Sequence, residues 1–256
     1  MTLNYKQFGS GFPLIILHGL LGSLDNWQSI AKKIAEQGFS VYIIDQRNHG
    51  RSPHSNDFNY RLLADDLLSF MQQHNIAKAH LLGHSMGGKT VMQFALTHPE
   101  KVGKLIVVDI VPAAFDDRHS DVFEALFAAN ASTATSRDAV QEVLRQKLGD
   151  ETTVQFLMKS MVRNEDGHGF SWRFNVDALY KNYGNISDEI TANQPYGGDC
   201  LFIKGERSTY INSGNYSSIA DLFPTHQLAE IKGAGHWVHA DKPAEFIEEV
   251  LRFLAI

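Results

Sequence analysis

Short apolar runs and segments of helical periodicity alternate along most of the chain. The apolar runs predict strands over 13–17, 40–44, 79–82, 104–108, 200–204 and 227–231. Between them, apolar residues at helical spacing predict helices over 26–37, 60–74, 86–97, 215–222 and 244–254. The strands are almost continuously apolar, which is typical of a parallel sheet covered by helices on both faces. The pattern therefore predicts an α/β fold with a mostly parallel central sheet.

The alternation stops between residues 113 and 195. The pattern there is mainly helical, with helices expected over 138–148 and 152–161 and no convincing buried strand. We interpret this region as a helical cap subdomain inserted between two strands of one sheet. The core domain would then comprise residues 1–112 and 196–256, and the cap residues 113–195.

Composition narrows the choice of partners and compartment. The chain has 256 residues and 43% hydrophobic content, enough for one large domain with a small insertion. A net charge of −6 argues against nucleic acid or an anionic membrane as the main partner. The single cysteine, Cys200, fits a reducing compartment, and residues 1–11 lack a signal-peptide pattern. We expect a cytoplasmic protein without a stable membrane anchor, as a monomer or small homo-oligomer.

A serine flanked by glycines follows one of the predicted strands. Residues 83–88 read GHSMGG, so Gly83 and Gly87 lie two residues before and after Ser85. This G-x-S-x-G pattern between an apolar strand and a helical segment is that of a nucleophile elbow. The turn is strained and crowded, so larger residues at the two glycine positions would collide. We predict that Ser85 is a nucleophile at the start of a helix with free N–H groups.

A serine hydroxyl needs a base within hydrogen-bond reach and an acid that orients the base. His236 is the candidate base because it follows the last predicted strand in a glycine-containing loop. Asp109 is the candidate acid, since it ends an apolar run at the sheet edge where Ser85 is also expected. Glu206 is a rival acid, and Asp109 could instead cap the turn that follows it.

Six short segments of the chain form a set of motifs that is specific when taken together. They are 18–27 (HGLLGSLDNW), 45–52 (DQRNHGRS), 83–88 (GHSMGG), 108–112 (VDIVP), 172–175 (WRFN) and 235–237 (GHW). Together they resemble the α/β-hydrolase superfamily, and more closely the small bacterial YbfF-like esterases and their mitochondrial relatives. The resemblance implies an α/β-hydrolase fold and a substrate that is a small-molecule ester or thioester.

The same resemblance bears on the acid. In many superfamily members the acid lies in a G-x-x-D turn after the penultimate strand, where this chain reads GERS and has Ser208 in its place. The YbfF-like proteins imply an acid at the end of the strand that follows the nucleophile helix. In this sequence that position is Asp109.

Acyl transfer also needs donors for the oxyanion of its transition state. The N–H of Met86, directly after the nucleophile, is one donor by geometry, and the resemblance to His-Gly-x loops implies the N–H of Leu20 as the second. Arg173 and Trp237 are candidate substrate contacts. Arg173 would meet an acidic group on the substrate, unless its aromatic-rich segment, 170–174, only packs the insertion against the main domain. His49, His84 and His239 lack metal-ligand spacing and no phosphate loop is evident, so we expect neither metal nor cofactor.

These features predict a serine hydrolase that cleaves esters or thioesters of small to medium acyl chains through an acyl-enzyme. The substrate class follows from the resemblance, because the spacing indicates only acyl transfer to water. Two alternatives stay open: the same triad acting on a carbon–carbon bond, and a non-catalytic ligand receptor on a hydrolase fold. Dehalogenase or epoxide hydrolase chemistry is disfavoured, because both would place an aspartate at Ser85.

Overall fold

A seven-stranded sheet forms the centre of the computed structural model, which describes residues 1–255. The strands of this part of the chain are β1 (Tyr5–Phe8), β2 (Phe12–Leu17), β3 (Phe39–Ile44), β4 (Ala79–His84), β5 (Val102–Val108), β6 (Met161–Arg163), β7 (Phe170–Trp172), β8 (Cys200–Gly205) and β9 (His226–Ile231). The large sheet has the order β1-β3-β2-β4-β5-β8-β9, and β6 pairs with β7 separately. Neighbours in the large sheet are parallel except for β1 and β3. The predicted mostly parallel sheet is confirmed.

Helices cover both faces of this sheet. The helices of residues 1–255 are α1 (Gln28–Ala35), α2 (Tyr60–Gln73), α3 (Met86–Thr97), α4 (Ser120–Ala129), α5 (Arg137–Leu148), α6 (Glu151–Met158), α7 (Val176–Lys181), α8 (Tyr183–Ser187), α9 (Tyr216–Leu222), α10 (Val238–Asp241) and α11 (Pro243–Ala255). Leu14 and Ile16 of β2 pack with α1 and α11, whereas Ile15 and Leu17 pack with α2 and α3. All four side chains are buried, and each contributes about 1.5–3 kcal/mol to folding. Within residues 1–255, no helix has the length and apolar character needed to cross a membrane.

Two elements at the start of the chain differ from the sequence prediction. The polar strand β1 was not predicted, because its residues are mostly exposed and it pairs only along one edge. The helix expected over 26–37 is a 3₁₀ turn, Leu24–Trp27, followed by α1. The backbone of Trp27 departs from the regular helix at this junction.

The chain between β5 and β8 forms α4 to α8 and the β6–β7 ribbon. The helices expected over 138–148 and 152–161 are present as α5 and α6. The segment is mainly helical, as expected, but it also contains β6 and β7, which were not predicted because three residues each are too few to show an alternating pattern. The apolar side chains of these helices cluster with Leu20, Phe58 and Met86 from the rest of the chain. The segment therefore lies against the region of the elbow.

Lys89 of α3 joins both ends of this segment to the sheet. Its side chain is buried, and its ammonium donates to the carbonyl oxygens of Ala113 at 2.9 Å, Ser187 at 3.4 Å and Asp188. A buried ammonium is costly unless its N–H groups are paired. These three bonds hold the entry and exit of the segment against the helix that begins after Ser85.

Candidate active site

Ser85 lies in a sharp turn between β4 and α3. Its φ is +52° and its ψ is −118°, a strained conformation for a residue with a side chain. An added Cβ on Gly83 would lie 2.1 Å from the carbonyl oxygen of Gly87, and one on Gly87 would lie 2.4 Å from that of Leu17. The Ser85 N–H donates to the carbonyl of Val108 at 2.9 Å. The tightness of the turn thus requires Gly83, its packing against β2 requires Gly87, and the bond to β5 holds Ser85 in place.

Asp109 and His236 meet at the same edge of the sheet. Asp109 directly follows β5, has a φ of +54°, and its side chain is 0% exposed. Its Oδ2 lies 2.7 Å from Nδ1 of His236, and its Oδ1 accepts the N–H of Gly205 at 3.2 Å. Because a carboxylate only accepts, the hydrogen of a neutral His236 lies on Nδ1, and Nε2 is free to accept a proton.

Ser208 contacts this carboxylate from the turn after β8. Its hydroxyl donates to Oδ2 of Asp109. The sequence identified Ser208 only as the residue that replaces an expected acid, so this donor role was missed. The rival acid, Glu206, instead accepts the N–H of Gly233 at 2.7 Å, and no ion pair joins it to His236 in the described chain. The geometry brings Asp109 rather than Glu206 to His236.

Two further residues that the sequence did not reveal form a stack on His236. The ring of Tyr210 lies parallel to the imidazole, with centroids 4.1 Å apart and an interplanar angle of 20°. The Arg118 guanidinium lies 4.4 Å from the centroid of the Tyr210 ring and donates to Oγ1 of Thr209 at 2.9 Å. This stack restrains the His236 ring. No sequence motif links residues so far apart along the chain.

The loop after β2 carries Leu20. Its neighbour Leu21 donates its N–H to Nε2 of His49 at 3.1 Å, which fixes the loop. An added Cβ on Gly19 would lie 3.3 Å from the Cβ of Ser85, so the loop passes close to the elbow. Among residues 1–255, neither the N–H of Leu20 nor that of Met86 donates to a protein acceptor. Both groups are therefore available to a ligand.

A cavity of about 200 Å³ opens at this edge of the sheet. Ser85, His236, Leu20 and Trp237 all line it. No direct hydrogen bond joins the side chains of Ser85 and His236 among the bonds of the described residues. Such bonds are often long in unliganded enzymes and shorten when substrate binds.

Arg173 does not line this cavity, contrary to the expectation that it meets the substrate. Its Nη1 pairs with Oδ2 of Asp25 at 3.2 Å, in a separate polar cleft. The side chain therefore links the loop after β7 to the 3₁₀ turn before α1. Its position in an aromatic-rich segment suggested a pocket wall, but the segment packs elsewhere.

Burial suppresses the charge of the other histidines around the site. Desolvation lowers the pKa of His84 well below its usual value, and it lowers the pKa of His239 to about 3 and that of His119 to about 4. These rings are uncharged near neutral pH and add no positive charge beside His236. Within the described chain, no group of three histidine, cysteine or acidic side chains could hold a metal ion.

Comparison with known proteins identifies the class to which this fold belongs. The sequence model of the α/β-hydrolase fold family matches residues 13–243. This chain belongs to that family and is an esterase- and lipase-type hydrolase.

Individual relatives match almost the whole chain. Esterase YbfF of Escherichia coli is 36% identical over 94% of this chain and 92% of that protein. The sn-1-specific diacylglycerol lipase ABHD11 of Mus musculus is 38% identical over 100% of this chain and 85% of that protein. The solved structure of a marine microorganism esterase superposes with a TM-score of 0.95, at 43% identity and over 98% of both chains. The resemblance to YbfF-like esterases is confirmed.

Proposed function

We propose that this protein is a serine hydrolase that cleaves carboxylic esters or thioesters of small to medium acyl chains through an acyl-enzyme. The observation that carries the proposal is the 2.7 Å contact between Oδ2 of Asp109 and Nδ1 of His236, beside the strained turn of Ser85. The names esterase and diacylglycerol lipase, borne by relatives that match nearly the whole chain, support the ester class.

In the proposed reaction, Oγ of Ser85 attacks the substrate carbonyl carbon while its proton moves to Nε2 of His236. The carbonyl oxygen becomes an oxyanion that accepts the N–H groups of Leu20 and Met86. His236 then gives its proton to the leaving alcohol or thiol as the C–O or C–S bond breaks, and Ser85 is left acylated. Water then attacks the acyl carbon as His236 takes its proton, and His236 passes that proton to Oγ of Ser85 as the acyl C–O bond breaks, which releases the carboxylic acid and restores the serine hydroxyl.

Asp109 has an orienting role in this scheme. It holds the hydrogen of His236 on Nδ1, so Nε2 is the atom that takes the Ser85 proton, and it stabilises the imidazolium that forms. Burying a carboxylate is costly unless hydrogen bonds replace its hydration. The hydroxyl of Ser208 and the N–H of Gly205 provide two such bonds. The acid is therefore held in one orientation.

We also propose that residues 113–195 form a cap over a core domain of residues 1–112 and 196–256. Helices α4 and α6 supply Val122, Thr153, Phe156 and Leu157 to the cavity wall. The ring of Phe156 lies 5.4 Å from that of Trp237, which makes Trp237 a candidate acyl contact. A volume of about 200 Å³ is below the roughly 300–1,000 Å³ of sites for drug-sized ligands, which favours short acyl groups.

Hydrolysis of 4-nitrophenyl butyrate by the wild type, Ser85→Ala and Ser171→Ala tests the proposal. Ser171 is an exposed serine of β7 and serves as a matched control for loss of a hydroxyl. We expect turnover in the wild type and the control and none above background in Ser85→Ala. Equal turnover in all three, or none in the wild type, would contradict the assigned nucleophile or the ester class.

A second series separates esters from thioesters and sets the acyl length. Acyl-4-nitrophenyl esters and acyl-coenzyme A thioesters from two to twelve carbons are compared by kcat/KM, with released thiol measured by a disulfide reagent. The narrow cavity predicts an optimum at short chains. An optimum at the longest chains would contradict the proposed role of the cap wall.

A further inference from the structure

His84 precedes the nucleophile and contacts the loop that carries the base. Its side chain is 3% exposed, and its Nε2 lies 2.9 Å from the main-chain carbonyl oxygen of His236. A carbonyl oxygen only accepts hydrogen bonds, so Nε2 of His84 is the donor. The hydrogen of the neutral ring therefore lies on Nε2, and Nδ1 is unprotonated.

The ring of His84 is enclosed on several sides. Its centroid lies 4.7 Å from that of His236 and 4.9 Å from that of His239. An added Cβ on Gly19 would lie only 2.9 Å from Nδ1 of His84, so the loop of Leu20 packs directly on this ring. One side chain thus contacts the loop of Leu20, one of the two proposed oxyanion donors, and the loop of the proposed base.

We propose that His84 is a positioning residue, whose Nε2–H ties the main chain of His236 to the turn of Ser85 and so keeps the imidazole within reach of the serine hydroxyl. The proposal rests on the proposed role of His236 as the base. It assigns to His84 no contact with substrate atoms.

The other bonds of the His236 loop do not provide this link. The N–H of Gly235 donates to Asp241 at 2.6 Å, and the carbonyl of Ala234 accepts the N–H of Arg207 at 2.9 Å. These bonds fix the loop to α10 and to the turn after β8. Among the hydrogen bonds of the described chain, only the one from His84 connects the His236 main chain to the elbow.

Three substitutions separate the donor from the bulk of the ring. In His84→Gln, the side-chain amide nitrogen is separated from Cβ by as many bonds as Nε2 is in histidine, so a donor is retained at that position. His84→Asn places its amide nitrogen near the Nδ1 position, and His84→Phe keeps a ring without a donor. Because a misplacement of about 1 Å can cost about 100-fold in rate, we expect kcat of His84→Phe and His84→Asn to fall by about 10–100-fold. We expect KM to change by less than about threefold, and His84→Gln to recover most of kcat.

The assay is 4-nitrophenyl butyrate hydrolysis, with kcat and KM measured separately and melting temperature recorded for each variant. Equal losses in His84→Gln and His84→Asn, or a loss expressed in KM, would show that the ring only packs and would overturn the proposal. If His84→Phe fails to fold, the comparison of His84→Gln with His84→Asn still shows whether the donor matters. His236→Ala is measured in parallel. Turnover retained in His236→Ala would refute the role of His236 as the base. An inactive His236→Ala together with unaffected His84 variants would refute only the positioning role of His84.

Discussion

Replacing Asp109 by Asn tests the orientation of His236 with little change in shape. A φ of +54° is tolerated by Asn as well as by Asp, so the backbone of the turn can be retained. The amide oxygen can still accept the N–H of Gly205, and the amide nitrogen then faces His236. An amide nitrogen is a donor, so Nδ1 of His236 must accept and its hydrogen must move to Nε2. This is the wrong tautomer for taking the proton of Ser85.

The expected loss follows from this tautomer change. A histidine held in the wrong tautomer lowers kcat by about 10⁴, equivalent to about 5 kcal/mol of transition-state stabilisation. Asp109 does not line the cavity, so we expect KM to remain within a few-fold of the wild-type value. The matched control is Glu206→Gln, which removes the charge of the exposed rival acid and should leave kcat unchanged.

Steady-state hydrolysis of 4-nitrophenyl butyrate, corrected for active sites by titration with a fluorophosphonate, gives kcat for each variant. Melting temperatures show whether both variants are folded at the assay temperature. Near-normal turnover of Asp109→Asn together with an inactive Glu206→Gln would refute the reasoning and transfer the role of acid to Glu206.

Three other substitutions probe the stability of the same region. Ser208→Ala removes a donor to the buried Asp109 carboxylate and should lower the free energy of unfolding by about 1.5–3 kcal/mol in urea titrations, with Ser208→Thr close to wild type. Burial lowers the pKa of His239 to about 3 in the folded protein, below its ordinary value of 6.5, so the unfolded chain binds more protons below pH 6.5. The free energy of unfolding should therefore decrease as the pH is lowered, with His239 accounting for about 2 kcal/mol of the decrease between pH 7 and 5. His239→Phe should lose this part of the pH dependence. An unchanged pH dependence in this variant would contradict the buried neutral ring. Gly83→Ala should cost about 1–3 kcal/mol because its Cβ would clash with backbone, whereas Gly184→Ala, in α8 with open space around it, should not destabilise.

The sequence predicted the five inner strands, β2 to β5 and β8, well because most of their residues are buried on both faces of the sheet. Continuous apolar runs bounded by polar residues leave little freedom in where a strand ends. The run at 104–108 ends one residue before Asp109, and β5 ends there as well. The predicted helix over 86–97 coincides with α3, since the elbow fixes its start. The relative positions of Ser85, Asp109 and His236 followed from the rule that such strand ends share one edge.

What the sequence could not predict depends on contacts between distant segments. Ser208 stands where a carboxylate was expected, and its identity alone gives no sign that it donates to Asp109. The stacking of Tyr210 on His236 belongs to no motif. The aromatic neighbours of Arg173 were compatible with a pocket wall or with packing of the insertion, and only the structure shows that its side chain pairs with Asp25. Local pattern specifies which face of an element is buried, but not which loop from another segment meets it.

The position of the proposed acid, Asp109, has a structural explanation in the pairing of β5 with β8. These strands are parallel neighbours, with Val108 paired with Ile203, so the residues that follow them emerge side by side. The turn after β8 is where many members of the superfamily carry the acid, and Ser208 of that turn still reaches the carboxylate of Asp109. A carboxylate supplied from either strand end can therefore approach the same nitrogen of His236. Exchange of the acid between the two strands needs no change of fold, provided that the vacated position keeps a donor for the buried charge.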